Sequence, residues 1–314
     1  TALNWSKYIS CKHLGRKIQF LGPVPSTKEA YQTALRIAWP SATETVLVSL
    51  VSSVDVMMVG SLGHQAIAAV GLTNQPKFLL LALINSLNIG VTTVVARRRG
   101  QENREGAQKC LRSALMISAC LSLVLSMIGY TFAEPIMAFS GAQADSMEYA
   151  VEYFRIIMIG FMPMCVGLTV NAAQRGVGNT RIAMTTNLTS NFINLIFNYL
   201  LIQGNLGFPR LEVKGAAIAT ILGSTVACLL SIRSLLPHDT YLHLNLRSGW
   251  KPDKESLRSI WGISYSALIE QVFMRIGFFT YVKIVANLGT MAFATHQICM
   301  NIINLSFAFG DGFS

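Results

Sequence analysis

The sequence predicts an all-α, polytopic membrane bundle. Three observations carry that expectation: an apolar, charge-poor composition, a series of apolar stretches long enough to cross a bilayer, and basic residues placed mostly at the connections between them. Of the 314 residues, 52% are hydrophobic and only 13% charged, with a mean hydropathy of +0.46, whereas soluble domains carry about 25% charged residues. A span needs about 20 apolar residues to cross about 30 Å of hydrocarbon. Eight stretches meet this length, near 35–60, 72–96, 110–133, 150–173, 182–203, 213–236, 258–284 and 291–314.

The connections fit those spans. Residues 1–34 hold aromatic and basic side chains but no apolar core followed by a small-residue cleavage site, so a signal peptide is not expected. This segment is read as cytoplasmic and suits an amphipathic helix on the membrane surface. Spans five and six are divided by the Gly/Pro-punctuated run Gly204 to Lys214, and spans six and seven by the polar residues 237–254. With the N-terminus in the cytoplasm, nineteen of the 25 Lys and Arg fall on the inner side and four outside (Lys77, Arg210, Lys214, Lys283), with Arg155 and Arg275 inside helices. This is the positive-inside bias of an inner, plasma-membrane protein, and it explains the net charge of +10 without a nucleic-acid partner. The six cysteines form no CxxC and read as packing residues.

An internal repeat sets the domain organisation. Leu62-Gly-His-Gln-Ala-Ile-Ala68 and Leu288-Gly-Thr-Met-Ala-Phe-Ala294 share the pattern LGxxAxA, and Ile89 to Thr92 resembles Asp311 to Ser314. Both copies join an outward to an inward helix, so the expected architecture is two similar six-helix lobes, as in transporters built from parallel repeats. The first lobe covers 35–236, an inter-lobe loop 237–254, and the first two helices of a second lobe 255–314. Eight of an expected twelve spans are present on this reading, with four more expected beyond Ser314.

Candidate functional residues are the acids within spans: Glu44, Asp55, Glu270 and Asp311. A charge in hydrocarbon costs several kcal/mol and marks a functional position by default. Glu44 and Asp55 are eleven residues apart, nearly three turns, on one face of the first helix and about 16 Å apart along it. A carboxylate there can bind a cation or take up a proton, and can exchange one for the other. Pro40 lies on the same helix, where a proline removes a backbone hydrogen bond and favours a hinge. In the fifth span, Asn187, Asn191, Asn194 and Asn198 recur at spacings of four, three and four and form one polar ladder. Such amides bridge helices or offer carbonyl oxygens to a hard cation. Arg275 is too far round the helix from Glu270 to pair with it and is a candidate partner for Asp311.

No Walker A sequence, no GxGxxG opening a helix and no HExxH is present, so no cofactor is expected and uphill work would be coupled to Na⁺ or H⁺. Three functions stay open on the residues alone: an ion-coupled exporter, a lipid-linked precursor or polyisoprenoid flippase, and an intramembrane enzyme with paired acids.

Several of these residues together resemble the MATE (multidrug and toxic compound extrusion) family. The resemblance rests on Pro40 with Asp55-Val-Met-Met-Val-Gly60, Leu87 to Gly100, Ala173-Gln-Arg-Gly-Val-Gly-Asn-Thr-Arg181, Asn194 to Ile202 and Lys214 to Thr220. It implies a bacterial secondary exporter, not an enzyme, that exchanges Na⁺ or H⁺ for amphiphilic, cationic organic compounds. By this resemblance Asp55 is the coupling acid of the first lobe, Asn194, Asn198 and Thr220 complete its cation site, and Glu270 is an acid used by Na⁺-linked relatives. No metal is implied beyond Na⁺ at Asp55 or Glu270. Many relatives carry Asp at Asn198, so this chain should hold a first-lobe cation less tightly. Expected partners are a small-molecule substrate and membrane lipids, and a monomer is expected.

Overall fold

The computed structural model describes residues 27–237, 240–243 and 253–311, and these fold into ten α-helices without a strand. Residues 1–26, most of the 237–254 loop and the Ile89-like repeat copy at 312–314 lie outside the described residues, as do the side chains of Pro40 and Asp311.

Helix α1 (Thr27–Gly60) continues through position 40, and a turn at Ser61 to Gly63 hands the chain to α2 (His64–Gly100). Helix α3 (Arg104–Thr131) is capped by Asn103, whose side chain accepts from the Gly106 backbone N–H at 2.8 Å. The short α4 (Ala133–Ser140) leads to α5 (Met147–Ile159) and α6 (Phe161–Gly176). Then follow α7 (Thr180–Gln203), a 3₁₀ turn at Asn205–Gly207, α8 (Glu212–Arg233), α9 (Lys254–Ala286) and α10 (Thr290–Asp311). Asp253 caps α9 by accepting from Ser256 N–H at 2.9 Å.

The structure redraws two spans. The second begins at His64 instead of near 72, and Lys77, counted among the outside basic residues, lies within α2 beside the buried Pro76. The fourth is a bent pair, α5 and α6 meeting at 54°. Pro163 in the first turn of α6 has no N–H to give the Ile159 carbonyl, and the chain breaks at Gly160, where a Cβ would sit 2.4 Å from Ile221. By length and apolarity the Thr43–Gly60 part of α1 and helices α2, α3 and α8 qualify singly as spans, with the bent pair as a fifth. Helices α7, α9 and α10 are long enough at 24, 33 and 22 residues but more polar.

Apolar packing joins α2, α3, α5, α6, α7 and α8 around buried Ile84, Phe154, Met158, Phe161 and Ile202. A separate seam joins the two LGxxAxA copies: Ala68 and Leu72 of α2 pack with Val282, Ala286, Phe293 and Ala294 of α9 and α10. The copies also share a turn. Gly63 and Gly289 take φ of +111° and +110°, a conformation that favours glycine, and each N–H bonds the carbonyl three residues back at 3.1 Å. Where α7 and α8 cross, Gly223 lies so close to the Ser190 carbonyl that a Cβ would come within 2.6 Å, the close backbone approach small residues permit between membrane helices.

That crossing makes a stability test. Gly223→Ala should lower the unfolding temperature of the detergent-solubilised protein, by an overpacking cost of about 1–3 kcal/mol. Gly262→Ala in α9, where nothing lies within 4 Å of an added Cβ, should be neutral or slightly stabilising, since alanine is the better helix former by about 1 kcal/mol.

Candidate functional site: a polar cavity along α7

A cavity of about 320 Å³ opens between α1, α2, α5, α6, α7 and α8, with Gln297 of α10 at its edge. Its apolar wall includes Val56, Val59, Ile67, Val70, Met164 and Leu168, and α7 gives more of its polar wall than any other helix. The 3.6-residue period puts Asn187, Asn191, Asn194 and Asn198 on one face of that helix, and all four line the cavity.

Asp55 lies at one end of this stripe. Asn198 donates from Nδ2 to its Oδ1 at 2.8 Å. Asn194, with its amide oriented to satisfy both ends, donates to the two carboxylate oxygens at 2.8 and 3.1 Å and faces the Thr220 hydroxyl with its own oxygen at 3.2 Å. Thr220 is held by a bond to the Ala216 carbonyl at 2.9 Å, and the buried Tyr153 hydroxyl meets it from α5. Asn198 itself is 2% exposed, and its Oδ1 is a buried acceptor with no donor. Carboxylate, amide carbonyl and hydroxyl oxygens in one place form a donor set suited to a hard monovalent cation, and a carboxylate with amide neighbours is equally suited to a proton.

The other end of the stripe is an ion pair. Buried Glu44 accepts from the Arg175 guanidinium at 2.7 Å and from Asn187. Asn171 extends the network: it donates to Asn187 at 3.3 Å, and its oxygen accepts from Thr186 and Ser231 at 3.2 and 2.9 Å. Glu44 is thus bound into a polar network away from Asp55, so paired acids do not form there.

Asp55, Asn194, Asn198 and Thr220 are therefore brought together, whereas Glu270 is exposed on α9 and absent from the cavity wall. Arg275 lies over the Phe78 ring at 5.3 Å, and the side chain of its expected partner Asp311 is outside the described residues. Lining residues that sequence reasoning missed are Asn74, Lys77, Tyr153, Asn171 and Gln297. Asn74 and Lys77 fall inside the apolar stretch 72–96, where nothing in the local sequence singles them out as cavity residues.

A MatE family model matches residues 40–200, half of the chain and most of the cavity wall. The chain belongs to the MatE family. The probable multidrug resistance protein NorM of Thermotoga maritima is 27% identical over 92% of the chain and 62% of its own length. The FAD transporter of Shewanella oneidensis is 34% identical over 57% of the chain and 40% of its own length. Among solved structures, the outward-facing conformation of a multidrug resistance MATE family transporter of the MOP superfamily superposes with a TM-score of 0.77 at 26% identity, covering 90% of this chain and 62% of that one. The inward-facing conformation gives 0.76 at 25% identity, covering 88% and 63%. The chain thus spans about three fifths of the length of NorM and of the two solved transporters. Members of the family are integral membrane transporters, not enzymes.

Removing the Glu44 carboxylate should leave Arg175 and Asn187 without their acceptor. Glu44→Ala should cost about 1–3 kcal/mol of stability, read as a fall in unfolding temperature. Glu44→Gln, which keeps an acceptor oxygen, should recover part of that loss.

Proposed function

We propose that this chain is part of a secondary active exporter of the inner (plasma) membrane, N-terminus in the cytoplasm, that exchanges Na⁺ or H⁺ for amphiphilic, cationic organic compounds. The observation carrying this reading is a carboxylate within a membrane-spanning segment, on the wall of a cavity lined by both apolar and amide side chains. Membership of the MatE family and the multidrug resistance name of its NorM relative support it. The sequence has no ATP-binding motif, so an ion gradient is the energy source consistent with it.

The amides of α7 supply the chemistry. As they stand, two N–H groups hold Asp55. Turning an amide over presents its carbonyl to a cation at the carboxylate, and Asn198 Oδ1 already stands beside it with no donor. Protonation of Asp55 would instead add a donor that this oxygen can accept. Either event replaces the present amide–carboxylate bonds between α7 and α1, and a cationic cargo competes with the ion for the same carboxylate. Competition of that kind is what obliges exchange. Two lobes closing alternately around the site would then give access to each side in turn.

In proteoliposomes carrying the full-length protein, Asp55→Asn should reduce gradient-driven efflux of a fluorescent cation at least about tenfold, the effect of losing one charged contact. Unchanged coupling in that variant would refute the assignment. Imposing the Na⁺ and H⁺ gradients separately identifies the coupling ion.

A further inference from the structure

Lys77 is a second charge in the cavity, and ion exchange at Asp55 makes no use of it. It lies within a membrane-spanning helix, where an ammonium is as costly as a carboxylate. Its Nζ donates to Asn74 Oδ1 at 2.8 Å, one turn back on α2, and lies 5.3 Å from the centre of the Phe78 ring. Among the described residues no carboxylate comes within 4.0 Å of it, and the bonds to Asp55 come from Asn194 and Asn198 instead. An ammonium has three donors, and Asn74 takes one.

A second cation approaches the same ring. The Arg275 guanidinium of α9 lies 5.3 Å from the centre of Phe78, and its Nε is buried without a partner. Two cations thus share one aromatic ring, and among the described residues no acid lies within ion-pair distance of either. Asn74 and Gln297, also on the cavity wall, add neutral amides nearby. The cavity therefore has an acidic point at Asp55 of α1 and a basic one at Lys77 of α2, with Val70, Met164 and Leu168 among its apolar lining.

We propose that Lys77 is a specificity-determining residue that binds an anionic group, a carboxylate or phosphate, of a zwitterionic amphiphile, with Arg275 adding positive potential behind it. This rests on the cavity being the cargo site of an exporter and narrows its cargo from simple cations to compounds bearing both charges. A structural role for Lys77 would instead make its loss equally harmful to every ligand.

Two rhodamines separate these roles: one with a free benzoate, a zwitterion, and its methyl ester, a cation of nearly the same shape. Binding of each to purified full-length protein is followed by fluorescence anisotropy for wild type, Lys77→Met and Lys77→Arg. Lys77→Met should weaken the zwitterion about tenfold or more and the ester by less than about twofold, with Lys77→Arg close to wild type, as expected for loss of one charge-assisted contact. Equal weakening of both dyes, weakening of neither, or no binding of the zwitterion by the wild type overturns the proposal. Gradient-driven efflux of the ester by wild-type proteoliposomes is measured in parallel. Its absence would refute the exporter reading, while the contrast between the two dyes still judges Lys77.

Discussion

Asp55 remains in the membrane interior because two amides one turn apart on α7 bond its oxygens. A carboxylate left without donors in hydrocarbon would cost several kcal/mol, so much of the surrounding packing follows from meeting that need. Helix α7 has to lie against α1 with its asparagine face inward. Helix α8 has to press close enough to bring Thr220 to Asn194, which the absence of a side chain at Gly223 allows. The same amide face continues to Asn187 and reaches Glu44 and Arg175, so one stripe of α7 ties the first helix to the bundle at two levels.

The repeat gives these demands an asymmetric answer. Aligning the turns at Gly63 and Gly289 places Tyr281 opposite Asp55, and Tyr281 packs its ring edge-on against His296 at 5.3 Å. The same alignment places Ile303 opposite Lys77. Neither charge of the cavity therefore has a counterpart in the described part of the second copy. The backbone repeats because both turns need a glycine with positive φ. The side chains diverge because only the first copy faces the α7 amides.

The acid, the asparagine ladder and the two repeat motifs were legible in the sequence, each for a physical reason that local spacing expresses. An acid inside an apolar run is conspicuous, and a four-three-four recurrence of Asn marks one face of a helix. Lys77 was not legible as a cavity residue, because its position in an apolar stretch does not say which neighbours α2 turns it toward. The break at Gly160 was equally hidden, since residues 150–173 are apolar enough to read as one straight span. Pro163 removes one backbone bond there, and the close approach of Gly160 to Ile221 on α8, sixty-one positions away, is the part that no local pattern shows.

The sequence by itself determined the all-α membrane class, because charge-poor stretches of span length have no other stable arrangement for their backbone polar groups. It also determined the repeat and the short list of membrane acids. Only the tertiary structure decided which acid faces a cavity, that Glu44 is neutralised by Arg175, that Glu270 stays outside the cavity wall, and that Lys77 shares the cavity with Asp55. Those outcomes depend on how helices distant in sequence rotate and cross. That rotation is fixed by close contacts such as Gly223 against Ser190, which no local pattern records.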